Sequence, residues 1–156
     1  VGKDGVDKRI DVLAMAIRSG LSVYELEEAE LSYAPPFGSA KDVINYAGFV
    51  AANALRGDVS LCHVEDMKSV SPHQLPLDVR TQAEVAAGTI DSAKHIPLDD
   101  LRSHLSELDK GKEYLVFCQV GLRGYLACRI LTQKGFRCRN LSGGYKTYSM
   151  AMAAGA

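Results

Sequence analysis

Apolar residues recur at helical spacing in the first third of the chain and in short continuous runs after it, and this change of period near Val59 divides the sequence in two. From about Val6 to Ser19, Ile10, Leu13, Ala14 and Ile17 share one face, which predicts an amphipathic helix with Gly20 as its stop. Ser22 and Glu25 have the spacing of a capping box and open a short helix through about Glu30. The stretch Tyr33-Ala34-Pro35-Pro36-Phe37-Gly38 interrupts it, because consecutive prolines forbid helix and hold extended backbone, with Tyr33 and Phe37 in fixed positions. A third helix, about Lys41 to Leu55, carries Ile44, Ala47, Gly48, Ala51 and Leu55 along one side and stops at Gly57. Small residues on that side allow close helix contact.

Beyond Val59 the pattern alternates between strand and helix. Leu75-Pro76-Leu77-Asp78-Val79-Arg80 is a short apolar segment ending in charges, which predicts a parallel strand that delivers Asp78 and Arg80 to its C-terminal end. Thr81-Gln82-Ala83-Glu84 reads as a capped helix start. After His95-Ile96-Pro97-Leu98, Asp99 is a candidate N-cap for a helical stripe of Leu101, Leu105 and Leu108. Tyr114 to Phe117 and Phe136 to Leu141 read as further strands. Strands alternating with helices indicate an open α/β sheet, whose ligands bind beyond the carboxyl ends of the strands.

Cys118 stands at such an end. The apolar run Tyr114-Leu115-Val116-Phe117 stops at Cys118-Gln119-Val120-Gly121-Leu122-Arg123-Gly124, and a helix from about Leu122 to Lys134 follows. Leu122, Leu126, Ile130 and Leu131 form its expected buried face, and Gly135 its stop. A helix N-terminus presents unpaired N–H groups and the positive end of its dipole, which favours thiolate over thiol at Cys118.

Composition narrows the class. At 156 residues and 47% hydrophobic content the chain has material for a sizeable core in one domain or two small ones. A net charge of -1 gives no basic excess for nucleic acid or an acidic membrane. No apolar run is long enough to span a bilayer and no signal-peptide pattern opens the chain, so a soluble, cytoplasmic protein is expected. The four cysteines lack the dense spacing of a disulfide scaffold and are read as reduced thiols. Cys128 and Cys138 read as small buried hydrophobes, and Cys62-His63 lacks a second ligand pair, so no metal site is expected. The opening Val1-Gly2-Lys3-Asp4-Gly5, without methionine, reads as a turn and the chain as an excised piece.

Several separated motifs in the second region resemble the rhodanese family over the whole of that region. Leu77-Asp78-Val79-Arg80 with Glu84 is similar to its early motif, and Gly88 through His95-Ile96-Pro97 to the stretch that follows. Phe117-Cys118 with Gly121 and Arg123 resembles the active-site loop, and Leu141-Ser142-Gly143-Gly144-Tyr145 the closing motif. Tyr148 stands where the family often has tryptophan, a departure expected to matter for packing more than chemistry. In the first region, Gly5-Val6-Asp7-Lys8-Arg9-Ile10-Asp11-Val12-Leu13 and Tyr33 to Asp42 resemble the C-terminal dimerisation domain of flavin-dependent pyridine nucleotide-disulfide oxidoreductases. Among these, coenzyme A-disulfide reductases with a C-terminal rhodanese domain are most similar.

The resemblance implies a partial, mainly helical dimerisation segment over residues 1–58 and a rhodanese-like α/β domain over 59–156. FAD, NAD(P)H and coenzyme A are implied for a full-length homodimer and none is expected on this segment. The dimer surface is then incomplete, and weak or altered self-association is expected. Tyr33 is a candidate coenzyme A contact across the dimer interface, with simple packing beside two prolines as the alternative.

A rhodanese-like mechanism makes Cys118 the catalytic nucleophile, taking sulfur from a persulfide, polysulfide or coenzyme A persulfide and passing it to a second thiol. Gln119, Val120, Gly121, Leu122 and Arg123 would form the loop, with backbone N–H groups as a nest for the sulfur. Arg123 either fixes the loop or meets an anionic substrate; Asp78 and Arg80 are expected to support the site as an ion pair, and His95 through a structural hydrogen bond. The alternatives are a non-catalytic docking or dimerisation module and a cysteine phosphatase. The phosphatase loop resembles this one but places five residues between Cys and Arg; here four intervene, Gln119 to Leu122, which suits a sulfur atom better than a phosphate.

Overall fold

In the computed structural model, which describes residues 2 and 4–155, the chain forms a helical unit that ends at Asp58 and an α/β unit that starts at Val59. Val1 and Lys3, part of the turn expected at the start, lie outside the described residues.

The helical unit contains α1 (Val6–Arg18), α2 (Val23–Glu28) and α3 (Val43–Leu55). The backbone N–H of Ser22 donates to Glu25 Oε2 at 2.6 Å and fixes the start of α2. Helix α3 begins two residues later than its apolar pattern suggests, because Asp42 is its N-cap and accepts from the Ile44 N–H at 3.2 Å. Its buried face also differs from expectation. Ile44, Asn45, Gly48 and Ala52 are buried, whereas Ala47 and Leu55 are exposed. The cause is Asn45, whose amide donates to the carbonyls of Leu26 at 3.2 Å and Ala29 at 2.8 Å and so satisfies the open end of α2. Gly48 permits that approach, since a Cβ there would stand 2.8 Å from the Leu26 carbonyl carbon.

The double-proline segment is not extended. Ala34 to Gly38 closes a tight turn in which the N–H groups of Phe37 and Gly38 both donate to the Ala34 carbonyl, at 2.8 and 2.9 Å. Proline's fixed φ suits the early positions of such a turn.

The α/β unit is built on an all-parallel sheet of five strands: β1 (Leu61–Cys62), β2 (Gln74–Asp78), β3 (Lys94–His95), β4 (Glu113–Phe117) and β5 (Arg137–Leu141), in the order β1-β5-β4-β2-β3. Helices α4 (Val64–Lys68), α5 (Gln82–Ala86), α6 (Leu122–Gln133) and α7 (Gly144–Ala154) complete it. Strand β4 shows the two-residue period of a fully covered strand. Tyr114 and Val116 enter one core with Ala127, Cys128 and Leu131 of α6, and Leu115 and Phe117 enter another with Cys62, Met67 and Leu141. Each such fully buried Leu or Val contributes about 1.5–3 kcal/mol.

Two expectations fail in this unit. Leu101, Leu105 and Leu108 do not lie on an α-helix; residues 98–104 form successive turns and Leu105–Glu107 a single 3₁₀ turn, closed by three-residue bonds such as His104 N–H to the Leu101 carbonyl at 3.3 Å. The leucines still reach the core, which is why their spacing mimics a helix. Helix α6 falls where expected but buries Gly124, Ala127, Cys128 and Leu131, leaving Leu122 and Leu126 exposed. Small side chains let α6 lie close on the sheet.

Candidate active site

The strand order reverses between β2 and β4. From β2 the chain steps outward to β3, and from β4 it steps the other way to β5, so the carboxyl ends of β2 and β4 border the crevice where α/β sheets bind ligands. Asp78 ends β2 and Cys118 follows β4 directly.

Cys118 is buried, and the residues after it wrap the sulfur. The Gly121 N–H donates to Cys118 Sγ at 3.1 Å, with Gly121 at φ 125 as the N-cap of α6. This contact places a backbone donor and the start of a twelve-residue helix on the sulfur. The outer side of the loop is held by α7. The N–H groups of Tyr145 and Lys146 donate to the carbonyls of Cys118 and Gln119, at 2.8 and 3.1 Å. Gly144, at φ 62, makes room for this, since a Cβ would lie 2.5 Å from the Cys118 carbonyl oxygen. Asn140 of β5 donates its amide to the Gly121 carbonyl at 3.1 Å and secures the far end of the loop. Val120 and Leu122 point outward and form an apolar rim, 60% and 68% exposed.

The two arginines at the site are both engaged. Arg80, 1% exposed, donates Nη2 to Asp78 Oδ2 at 2.7 Å and to the Gly88 carbonyl at 2.7 Å, and Nη1 to Gln119 Oε1 at 3.3 Å. Asp78, fully buried, also accepts from Thr89 Oγ1 at 2.7 Å. Buried charges need this degree of pairing. His95 Nε2 lies 2.8 Å from the Arg80 carbonyl and braces the same turn.

Arg123 pairs with Glu84, and its guanidinium also interacts with Cys118; both contacts raise its pKa, Glu84 the more strongly. Its Nη1 and Nη2 donate to Glu84 Oε2 and Oε1 at 2.7 and 2.6 Å, a bidentate pair. The guanidinium, helped by the Thr81 N–H and hydroxyl, holds the Glu84 carboxyl down at about 2.

Tyr33, 57% exposed, is in the helical unit, where it lines a cavity of about 900 Å³ with Lys8, Arg9, Phe37 and Asp42. Among the described residues no group of three His, Cys, Asp or Glu side chains could hold a metal ion, and no helix is long and apolar enough to cross a membrane.

Sequence reasoning missed two supports of the loop. The sequence marks Glu84 only as a helix cap and motif residue, although an acidic side chain four residues from Arg80 could serve a second cation. Asn140 carried a signal: a lone amide in a strand that pairs with the buried run of β4.

A family model described as a rhodanese-like domain matches residues 63–151, more than half of the chain. The chain belongs to the rhodanese-like family. A coenzyme A disulfide reductase of Staphylococcus aureus (strain bovine RF122 / ET3-1) is 59% identical over 51 residues, 33% of this chain and 12% of that protein. Two solved structures span both units. Reduced Bacillus anthracis CoADR-RHD superposes with a TM-score of 0.93 at 42% identity over 98% of this chain and 28% of its own. An NAD-dependent persulfide reductase from A. fulgidus superposes with a TM-score of 0.80 at 35% identity, over 94% of this chain and 26% of its own. The chain thus spans between about an eighth and about a quarter of these relatives. Its rhodanese-like domain is related to those of coenzyme A disulfide and persulfide reductases, and the parallel five-stranded sheet flanked by helices is the rhodanese fold.

Proposed function

We propose that this domain transfers sulfane sulfur through a persulfide on Cys118, as the sulfur-handling part of a flavin-dependent coenzyme A-disulfide, persulfide or polysulfide reductase. The observation that carries this reading is the Gly121 N–H donating to Cys118 Sγ at 3.1 Å in a loop pinned on both sides by α7 and β5. In the first step the Cys118 thiolate attacks the terminal sulfur of a protonated persulfide, RS–SH. A new S–S bond forms, the old one breaks, and RS⁻ leaves with the electron pair. In the second step an acceptor thiolate attacks the outer sulfur, and Cys118 leaves as a thiolate. The Gly121 N–H stabilises negative charge on Cys118 as it enters and leaves each step.

The 51-residue match to a coenzyme A disulfide reductase and the division of the chain after Asp58 support reading residues 1–58 as part of a dimerisation domain and 59–156 as the rhodanese-like domain. In this reading the whole protein is a homodimer that holds FAD and NAD(P)H, and Tyr33 contacts coenzyme A. This chain carries no Gly-x-Gly-x-x-Gly turn, so its own residues do not form the dinucleotide site, and no step is drawn through those cofactors.

Incubating the protein with glutathione persulfide and weighing it intact tests the reading. Wild type gains one sulfur mass and Cys118→Ser gains none. An unmodified wild type, or an adduct that survives the substitution, overturns it.

A further inference from the structure

The charges around Cys118 bear on which sulfur donors it can use. Arg80 is buried and spent on Asp78. Arg123 lies nearer the surface, but both carboxylate oxygens of Glu84 are taken up by its guanidinium at 2.6 and 2.7 Å. Gln119 and Val120 carry no charge, and the rim of Val120 and Leu122 is exposed and apolar. Lys146, an exposed side chain on α7, is a further cation on an element bonded to the loop, as are Arg129 of α6 and Arg137 and Arg139 of β5. Arg80 and Arg123, the two arginines at the site, are thus each paired with a carboxylate, beside an apolar rim.

We propose that Glu84 is a specificity-determining residue that sets the charge class of the sulfur donor: by occupying Arg123 it disfavours compact dianionic donors such as thiosulfate and leaves Cys118 to donors whose sulfane sulfur carries little charge. This deepens, and rests on, the sulfur-transfer reading. With thiosulfate, the Cys118 thiolate attacks the sulfane sulfur, the S–S bond breaks, and sulfite leaves with the electron pair. The bulk of the dianion then needs an uncompensated cation close to the loop, and Glu84 offsets the charge of Arg123, the cation that meets Cys118 itself. Protonated glutathione persulfide, the form that is attacked, carries no charge on the reacting sulfur and has no such need. Glu84 acts through Arg123 and is a positioning residue.

The test compares kcat/KM for thiosulfate and for glutathione persulfide, with sulfur loading of Cys118 followed by mass. Glu84→Gln keeps an oxygen for the Thr81 N–H but frees the Arg123 charge, and is expected to raise the thiosulfate-to-persulfide ratio by about tenfold. The gain should fall steeply with added salt, which a merely structural change would not produce. It should vanish in the double variant Glu84→Gln, Arg123→Gln, and be absent in Glu84→Asp, which keeps the negative charge. Wild type supplies a readout that needs no variant: its thiosulfate kcat/KM should be nearly flat with salt. An unchanged ratio in folded Glu84→Gln, a gain that persists without Arg123, or a steep salt dependence in wild type overturns the proposal. Failure of both donors to load wild-type Cys118 overturns the sulfur-transfer reading instead, and this proposal with it.

Discussion

The guanidinium of Arg80 lies 4.1 Å from the ring centroid of Tyr145 while its nitrogens face the Asp78 carboxylate, so the closing helix and the end of β2 meet on one buried cation. Tyr145 stacks in turn between Phe117 and Tyr148, at 6.4 and 6.3 Å. Tyr148, where the resemblance leads one to expect tryptophan, therefore extends an aromatic stack.

Removing the negative partner should be costly here. Asp78→Asn leaves a buried Arg80 charge uncompensated, and a loss of about 3–5 kcal/mol in unfolding free energy is expected. Denaturant titration measures it. A loss below about 1 kcal/mol, the scale of an exposed pair, would show that Arg80 is reached by water.

Gly144→Ala tests the clamp on the loop. Alanine at φ 62 is strained, and its methyl would stand 2.5 Å from the Cys118 carbonyl oxygen, so the loop must move. The expected stability cost is about 1–3 kcal/mol. The rate of Cys118 persulfide formation should fall more, by about tenfold to a hundredfold, because a displacement of the loop misplaces the Gly121 N–H. Equal stability loss with an unchanged rate would detach α7 from the chemistry.

The ion pair of Glu84 and Arg123 predicts a pH dependence of stability. Pairing depresses the folded-state Glu84 to about 2 from an ordinary 4.5, so the unfolded chain binds the extra proton between these values. The stabilisation is complete above about pH 5 and is lost as pH falls toward about 2. The gap in unfolding midpoint between wild type and Glu84→Gln should be widest near neutrality and close on acidification. A gap independent of pH would mean that the pair contributes nothing beyond its hydrogen bonds.

Cysteine labelling should separate the thiols outside the site. Cys138 Sγ lies 3.5 Å from Thr132 Oγ1 and beside Cys128, whose thiol hydrogen bond draws Cys138 below the ordinary thiol range and pushes Cys128 up. Burial pushes Cys62 up to about 12. With Cys118→Ser protein, iodoacetamide should modify Cys138 first, with a pH midpoint below that of a free thiol, and peptide mass mapping reads the order. Equal or faster modification of Cys62 would contradict this arrangement.

Much of this site was legible in the sequence because its parts are local. The strand before Cys118, the helix after it and Gly135 beyond it are written in consecutive residues, and the observed α6 matches them. What failed was the direction of faces. Leu122 and Leu126 are the larger apolar residues of α6, yet Gly124, Ala127 and Cys128 pack on the sheet, because closeness of approach outweighs side-chain size there. The same holds in α3, where Asn45 turned inward to close a helix end nineteen residues earlier. The bond from Arg123 to Glu84 spans 39 residues, and no local pattern reports such a distance.

The N–H groups of Tyr145 and Lys146 that hold the Cys118 and Gln119 carbonyls belong to residues made more than twenty positions after the cysteine. During synthesis the thiol therefore exists for a time without the bonds that hold its loop from outside. A growing chain that has emerged only as far as α6 lacks both, and the Cys118 and Gln119 carbonyls are pinned only when the last helix docks. On the sulfur-transfer reading, the rate of persulfide formation at Cys118 thus doubles as a report that α7 is in place.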